Sequence, residues 1–273
     1  MESPLQLLCA VEYAFAAEVA VRIVPRAGAV QLAATAERLR ALELPLGVTI
    51  EAPRSLPVLG SDHWIIGDAF SGMARSAIAL RMPQRLTVVD DGAATLDLPA
   101  VLAGQARLSR STDTAAMHAI AELATARARE LDAAGALELF SYYALDHPAR
   151  RANRFRWLRS RAAVPAVPKR IVLGSANVAD GLVPEGEYLD WLGGLEVPAS
   201  YFPHRRETAS TLQRIAAIPG LAIDDRGLPI ELVLAGAREV TVTSLPSSAV
   251  ETLRIILLGT GSSIDVVPRL VAA

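Results

Sequence analysis

Short, almost unbroken apolar runs alternate with helix-forming stretches along this chain, and that alternation narrows the folds open to it. LTVV (86–89) and the IVL of KRIVLG (169–174) lack the polar side of a half-exposed strand. Strands buried on both faces read this way, and they belong to parallel sheets covered by helices. Between the runs, LQLLCAVEYAFAAEVAV (5–21), AVQLAATAERLRAL (29–42), AFSGMARSAIAL (69–80) and residues 112–138 read as helices. VRIV (21–24) and HWIIG (63–67) read as short strands. The expected class is α/β.

A second unit is expected after the Arg-rich stretch that ends at Arg161. AAVPAVPK carries Pro165 and Pro168 and suits a linker. KRIVLG then opens a new strand–helix series. EYLDWLGGL (187–195) and ETASTLQRIAAI (207–218) read as helices, and ASYFPH as a strand ending at His204. LPIELVLAG reads as a strand containing Glu231, EVTVTS (239–244) as a strand, and SSAVETLRIILLG as a helix or a strand pair. The division expected is 1–162 and 163–273, two Rossmann-like halves with parallel sheets and a cleft between them. Ligands of such sheets bind at the carboxyl ends of the strands. A Rossmann-like half should open with a strand, yet this chain opens almost directly with a helix.

Composition removes several function classes. The chain has 273 residues and a net charge of −2, without the basic excess of a general nucleic-acid binder. Its apolar runs, such as IILLG from Ile255, fall far short of the ~20 residues that span a bilayer. MESPLQLLCAVEYAF has no basic n-region, so a signal peptide is not expected. Cys9 is the single cysteine, which excludes an intramolecular disulfide and a multi-cysteine metal site. A cytoplasmic setting is expected, with the inner membrane face as a further option.

Four short stretches carry chemistry. Asp90-Asp91-Gly92 follows the run LTVV. Two adjacent carboxylates at a strand end supply one general base, because close like charges raise one pKa; the plainer reading is a strand-to-turn sequence. Tyr201-Phe202-Pro203-His204-Arg205-Arg206-Glu207 brings an imidazole and two guanidinium groups to the start of a helix, either an anion site or a solvated basic loop. Ser247 and Ser248 precede AVETLRI, either as helix caps or as donors to a phosphate. Glu231 is an acid in an apolar run, costly to bury unless paired, and ribose hydroxyls are a common partner.

In this order, the acidic-acidic-Gly element, YFPHRRE, PIE and SLPSS resemble the motifs of the bacterial lipooligosaccharide sialyltransferases and polysialyltransferases. ESPLQLL (2–8) also looks like the family's opening after its first strand. The resemblance runs roughly from Ser3 to Leu258. It implies a GT-B-like, inverting enzyme that uses CMP-sialic acid as donor, a glycan hydroxyl as acceptor, and neither metal nor other cofactor. Under it, Asp91 or Asp90 is the base and His204 meets the CMP phosphate. Ser247 and Ser248 hold the same phosphate, and Glu231 holds the cytidine ribose. Arg205, Pro203 and Gly174 join the donor-binding set. Two departures stand out. Arg205 follows His204 where the family has Pro. Asp180, in GSANVADG, is a second candidate base. The literal His147-Pro148 lies in YYALDHPARR, which reads as helical, and is set aside. A related transferase with another nucleotide sugar, or a catalytically silent nucleotide- or glycan-binding protein, stays open as an alternative. No nucleic-acid partner is expected; a peripheral membrane contact and a homodimer stay open.

Other features weigh less. Gly67-Asp68-Ala69-Phe70-Ser71 resembles a hydrolase opening, but Ala69 stands where a nucleophile would be. Gly259-Thr260-Gly261 lacks the context of a dinucleotide fingerprint. His63 and His118 have no ligand partners at metal spacing. The arginines from Arg150 to Arg161, with Phe155 and Trp157 among them, read as a solvated helix face or hinge, with an anionic glycan or membrane surface as the functional version.

Overall fold

A computed structural model describes residues 1–28, 30–56, 60–268 and 270. The chain is α/β, and every strand pairing among the described residues is parallel. It divides into two compact units, Met1–Arg161 and Ala162–Ala273. No helix of the described residues is long and apolar enough to cross a membrane.

The first unit opens with α1 (Pro4–Ala17), β1 (Val21–Ile23), α2 (Val30–Ala41) and β2 (Val48–Ile50). There follow β3 (His63–Ile66), α3 (Gly72–Leu80), β4 (Arg85–Val89), α4 (Leu98–Leu102) and α5 (Ala115–Ala133). β5 (Leu137–Ser141), β6 (Arg150–Ala152) and α6 (Arg156–Arg161) complete it. β1 pairs with β2, and β3-β4-β5-β6 form a separate four-stranded sheet. Ser3 caps α1, its Oγ accepting the Gln6 amide at 3.2 Å, and Pro4 supplies a preset φ in the first turn. Leu7 through Ala14 are all buried, so α1 is covered on every side, as a helix apolar all round must be. Trp64, Ile78, Leu86, Val88, Leu131, Leu137 and Leu139 lie in the core beside the four-stranded sheet.

The second unit contains β7 (Arg170–Leu173), α7 (Ala176–Ala179), α8 (Glu185–Gly193), β8 (Ala199–Phe202) and α9 (Ala209–Ala216). β9 (Leu221–Ile223), α10 (Ile230–Leu234), β10 (Thr241–Ser244), α11 (Ser248–Ile256) and β11 (Ser263–Val266) follow. The sheet order is β11-β10-β7-β8-β9. The chain therefore starts at the centre, winds out through β8 and β9, then crosses back to β10 and β11. The reversal of direction falls between β7 and β10. Ile171 and Leu173 join one core cluster while Val172 joins another, so successive residues of β7 are buried on opposite faces. Helices on both faces account for the continuous apolar runs of the sequence.

Three local expectations need correction. Glu231 lies in the first turn of α10, not in a strand. A five-residue run buried on every side carries no period that separates helix from strand, and Pro229 at the cap position favours the helix. The helix expected to reach residue 138 stops at Ala133, because Gly135 takes a left-handed φ of 65° and ends it, leaving LELFS to form β5. His147-Pro148 sits in the loop between β5 and β6, since Pro disfavours helical backbone at the residue before it. The strands β2, β9 and β11 belong to no run singled out in the sequence.

Candidate functional site

Each unit gathers polar groups at the carboxyl ends of its parallel strands. In the first unit, β3, β4 and β5 deliver Asp68, the Asp90-Asp91 pair and Ser141 to one end of the sheet. The adjacent aspartates have opposite surroundings. Asp90 is fully buried; its Oδ1 accepts from Ser141 Oγ at 2.7 Å and its Oδ2 from the Tyr142 amide at 2.7 Å. Burial pushes its pKa up to about 7, against the opposing effect of these donors. With both oxygens engaged, Asp90 ties β4 to β5. Asp91 is half-buried, and its Oδ1 accepts from Ser3 Oγ at 2.6 Å. Among the described residues its Oδ2 has no hydrogen-bond partner, so this oxygen is the one able to take a proton.

Around Asp91 the first unit assembles residues that the sequence did not single out as a group. Glu2 accepts from Ser71 Oγ at 2.6 Å and from Arg26 at 2.7 Å. Asp68 accepts from the Phe70 amide at 2.8 Å and pairs with Arg110. Burial raises the Asp68 pKa, and the charges of Asp91 and Glu2 add to the effect. The stretch Gly67–Ser71, which does not fit a hydrolase opening, contributes Asp68 and Ser71 to the carboxylate end of the sheet. The available signal was an Asp directly after the apolar run of β3.

In the second unit, Gly174 ends β7 and the Pro203-His204-Arg205 turn ends β8. Only glycine fits at 174: a Cβ there would lie 2.4 Å from the His204 amide nitrogen and 2.5 Å from Glu207 Oε2. Glu207 holds the two loops together. Its carboxylate accepts from the His204 amide at 2.8 Å, from the Ser175 amide and from the Tyr201 hydroxyl, which itself meets the Tyr188 hydroxyl at 2.9 Å. Burial raises the Glu207 pKa against these donors. In return the Glu207 amide donates to the His204 carbonyl at 2.9 Å. The reciprocal pair closes a turn between residues three apart, and no local sequence pattern marks Glu207 for this role.

His204 is half-buried, and burial, aided by the positive charge of Arg205, lowers its pKa below the ordinary value. The ring is therefore neutral near pH 7. Nδ1 accepts the Arg206 amide at 3.3 Å, which assigns the proton to Nε2. Nε2 has no partner among the described residues and is free to donate. Arg205 is exposed and makes no ion pair among the described residues, whereas Arg206 is paired with Asp180. Asp180 closes α7 as its cap and is committed to that pair.

Ser247 and Ser248 start α11 just past β10, on the far side of β7 from His204 and at the same end of the sheet. Ser247 is exposed and its side chain makes no cap bond to the helix, so its hydroxyl is available. Glu231 stands apart from this group. It is 5% exposed and accepts from Thr252 Oγ1 at 2.7 Å, a contact that joins α10 to α11. Burial raises its pKa. Gly174, Pro203, His204, Arg205, Ser247 and Ser248 thus share one sheet end, and Glu231 is buried between helices.

Among the described residues no group of three or more His, Cys, Asp or Glu side chains is arranged to hold a metal ion. Cys9 is buried in α1 near Asn153. No family model matches this chain, and no curated protein matches it significantly.

Proposed function

We propose that the chain is an inverting glycosyltransferase that moves sialic acid from CMP-sialic acid to a glycan hydroxyl without a metal. The observation that carries the reading is the strand-end group of the second unit. Gly174, His204 and Ser247 surround the topological switch point of a doubly wound sheet, where such folds bind nucleotides. Neutral His204 offers Nε2–H, Ser247 offers a free hydroxyl and Arg205 an unpaired guanidinium. All three are donors suited to a phosphate.

In this mechanism the bond from the sialyl anomeric carbon to the CMP phosphate oxygen breaks, and negative charge collects on that oxygen. Donors already aimed at it lower the barrier, because they need no reorganisation as the charge develops. The acceptor oxygen forms the new bond from the opposite face and gives its proton to Asp91 Oδ2. Ser3 fixes the other carboxylate oxygen, so the free one keeps its direction. The reaction requires Asp91 to reach a donor held by the second unit, which is the GT-B arrangement. Glu231 acts here by holding α10 against α11, in place of the ribose contact implied by the family motif.

Thermal-shift measurements with CMP, UDP and GDP test the donor class. Stabilisation by CMP is expected, and stabilisation by UDP or GDP alone overturns the reading in favour of another nucleotide sugar. Asp91→Asn should keep the CMP shift and lose sialyl transfer by about two orders of magnitude or more. His204→Ala should lower kcat by roughly 10²–10³-fold, the scale of losing one pre-aimed donor. CMP binding with no sialyl transfer by the parent chain would leave a nucleotide-binding protein in place of an enzyme, and full activity in both variants would remove Asp91 and His204 from the mechanism.

A further inference from the structure

The first unit contains a gap between the edges of two parallel sheets. Among the described residues β1 pairs with β2 alone and β3 with β4 alone, which leaves one open edge on each. A cavity of about 460 Å³ lies between those edges, lined by residues 19–26 and residues 63–68. Gln6 of α1 and Met73, Ala74 and Ala77 of α3 also line it.

The second unit shows what such a gap means. Its order is β9-β8-β7-β10-β11, with the first strand in the centre. Taking β7 away would leave a two-stranded and a separate further sheet, the division that the first unit has. One parallel strand between β1 and β3 would give the first unit the order β2-β1-strand-β3-β4-β5-β6, wound outward from a central first strand as doubly wound sheets are.

Met1 already occupies the end of the gap in strand geometry. Its amino group donates to the Val24 carbonyl at 2.7 Å, and its carbonyl accepts the Arg26 amide at 2.8 Å. Those two bonds are the bridge of a parallel pair, with Met1 opposite Pro25. On β1, Val21 and Ile23 direct their backbone groups to the β2 side, through the Val21 amide to Gly47 and the Ile23 carbonyl to Glu51. By alternation, the amide and carbonyl of Arg22 face the gap. Gln6 Nε2 is buried and has no partner, although backbone polar groups of an added strand would satisfy it. The Met1 ammonium is largely buried, and burial lowers its pKa; a peptide bond there would remove the charge.

We propose that the gap between β1 and β3 is a strand-acceptor site. It takes an extended segment of about four or five residues, parallel to both edges and joined to Met1 through a peptide bond. Met73, Ala74 and Ala77 of α3 call for apolar side chains on the face of that segment toward α3.

The test fuses Lys-Ile-Val-Val-Val directly ahead of Met1 in the full chain and compares it with a Lys-Ile-Pro-Pro-Val fusion, whose prolines cannot complete the ladder. The first fusion is expected to raise the melting temperature of the first unit by about 5 °C or more over the second. It should also slow amide exchange at Arg22 and along β3 by at least tenfold. Equal melting temperatures with equal exchange in the two fusions overturn the proposal. Stabilisation of the parent chain by the unattached apolar peptide, equal to that of the fusion, overturns the joined form and assigns the slot to a separate peptide.

Discussion

Glu12 and Asp90 show how one side chain sets a property of the whole first unit. Each is a carboxylate at most 1% exposed, and burial pushes each pKa up to about 7. Between pH 5 and 7 the unfolded chain has released these two protons while the folded chain still holds them in part. Stability therefore falls as pH rises through this window. The contribution is fully present below the ordinary carboxylate range and is lost as pH passes about 7, on the order of 3 kcal/mol per group. Melting temperature measured from pH 5.5 to 8 should decline, and Glu12→Gln should flatten the decline; a curve rising across that range would contradict the assignment. The same residues show where a sequence stops being informative. Asp90 and Asp91 are adjacent and of one type, yet one is enclosed by Ser141 and Tyr142 and the other faces out beside Ser3. Their separate roles depend on partners 51 and 88 residues away, which no local pattern records.

At the scale of an element, α1 joins helix formation to the candidate base. Ser3 Oγ accepts the Gln6 amide and donates to Asp91, so one hydroxyl both starts the helix and orients the carboxylate. Ser3→Ala should cost about 0.5–2 kcal/mol of stability through the lost cap. It should also reduce sialyl transfer more than the loss of folded protein explains, whereas Ser3→Thr should restore both. A stability loss with kcat unchanged would leave Ser3 a cap only. Elements with a clear period are legible: α2, α3 and α9 fall within the stretches that read as helices, and α1 covers most of another, starting one residue before it and ending at Ala17. Short buried ones are not. The sequence pattern runs the helix before β5 on into its first two residues and reads α10 as a strand, because a run of four or five residues buried on all sides shows the same apolar pattern in either state.

Over the whole molecule, the two units have separate cores, one containing Trp64, Leu86 and Leu139, the other built around Ile171, Tyr201 and Leu253. Calorimetry should resolve two transitions, and CMP should raise only the one that belongs to residues 162–273. A shift of both by CMP would tie the nucleotide to the first unit as well. The division was visible beforehand in Pro165 and Pro168, since prolines without a helix or strand around them mark a connection. The doubly wound order of the second sheet was legible only as a class. Apolar runs announce parallel strands, but which strand lies at the centre depends on how crossovers pack, and that is settled by the helices as a set.

The contact between α1 and α6 bears on how the protein is made. Glu12 accepts the amides of Trp157 and Leu158, residues 145 and 146 positions later. A nascent chain shorter than that holds a helix whose carboxylate lacks these two donors and whose face toward α6 is uncovered. The side of α1 that meets α6 is therefore covered only after residues 156–161 have left the ribosome. Until then that side of α1 is exposed surface for a chaperone to hold.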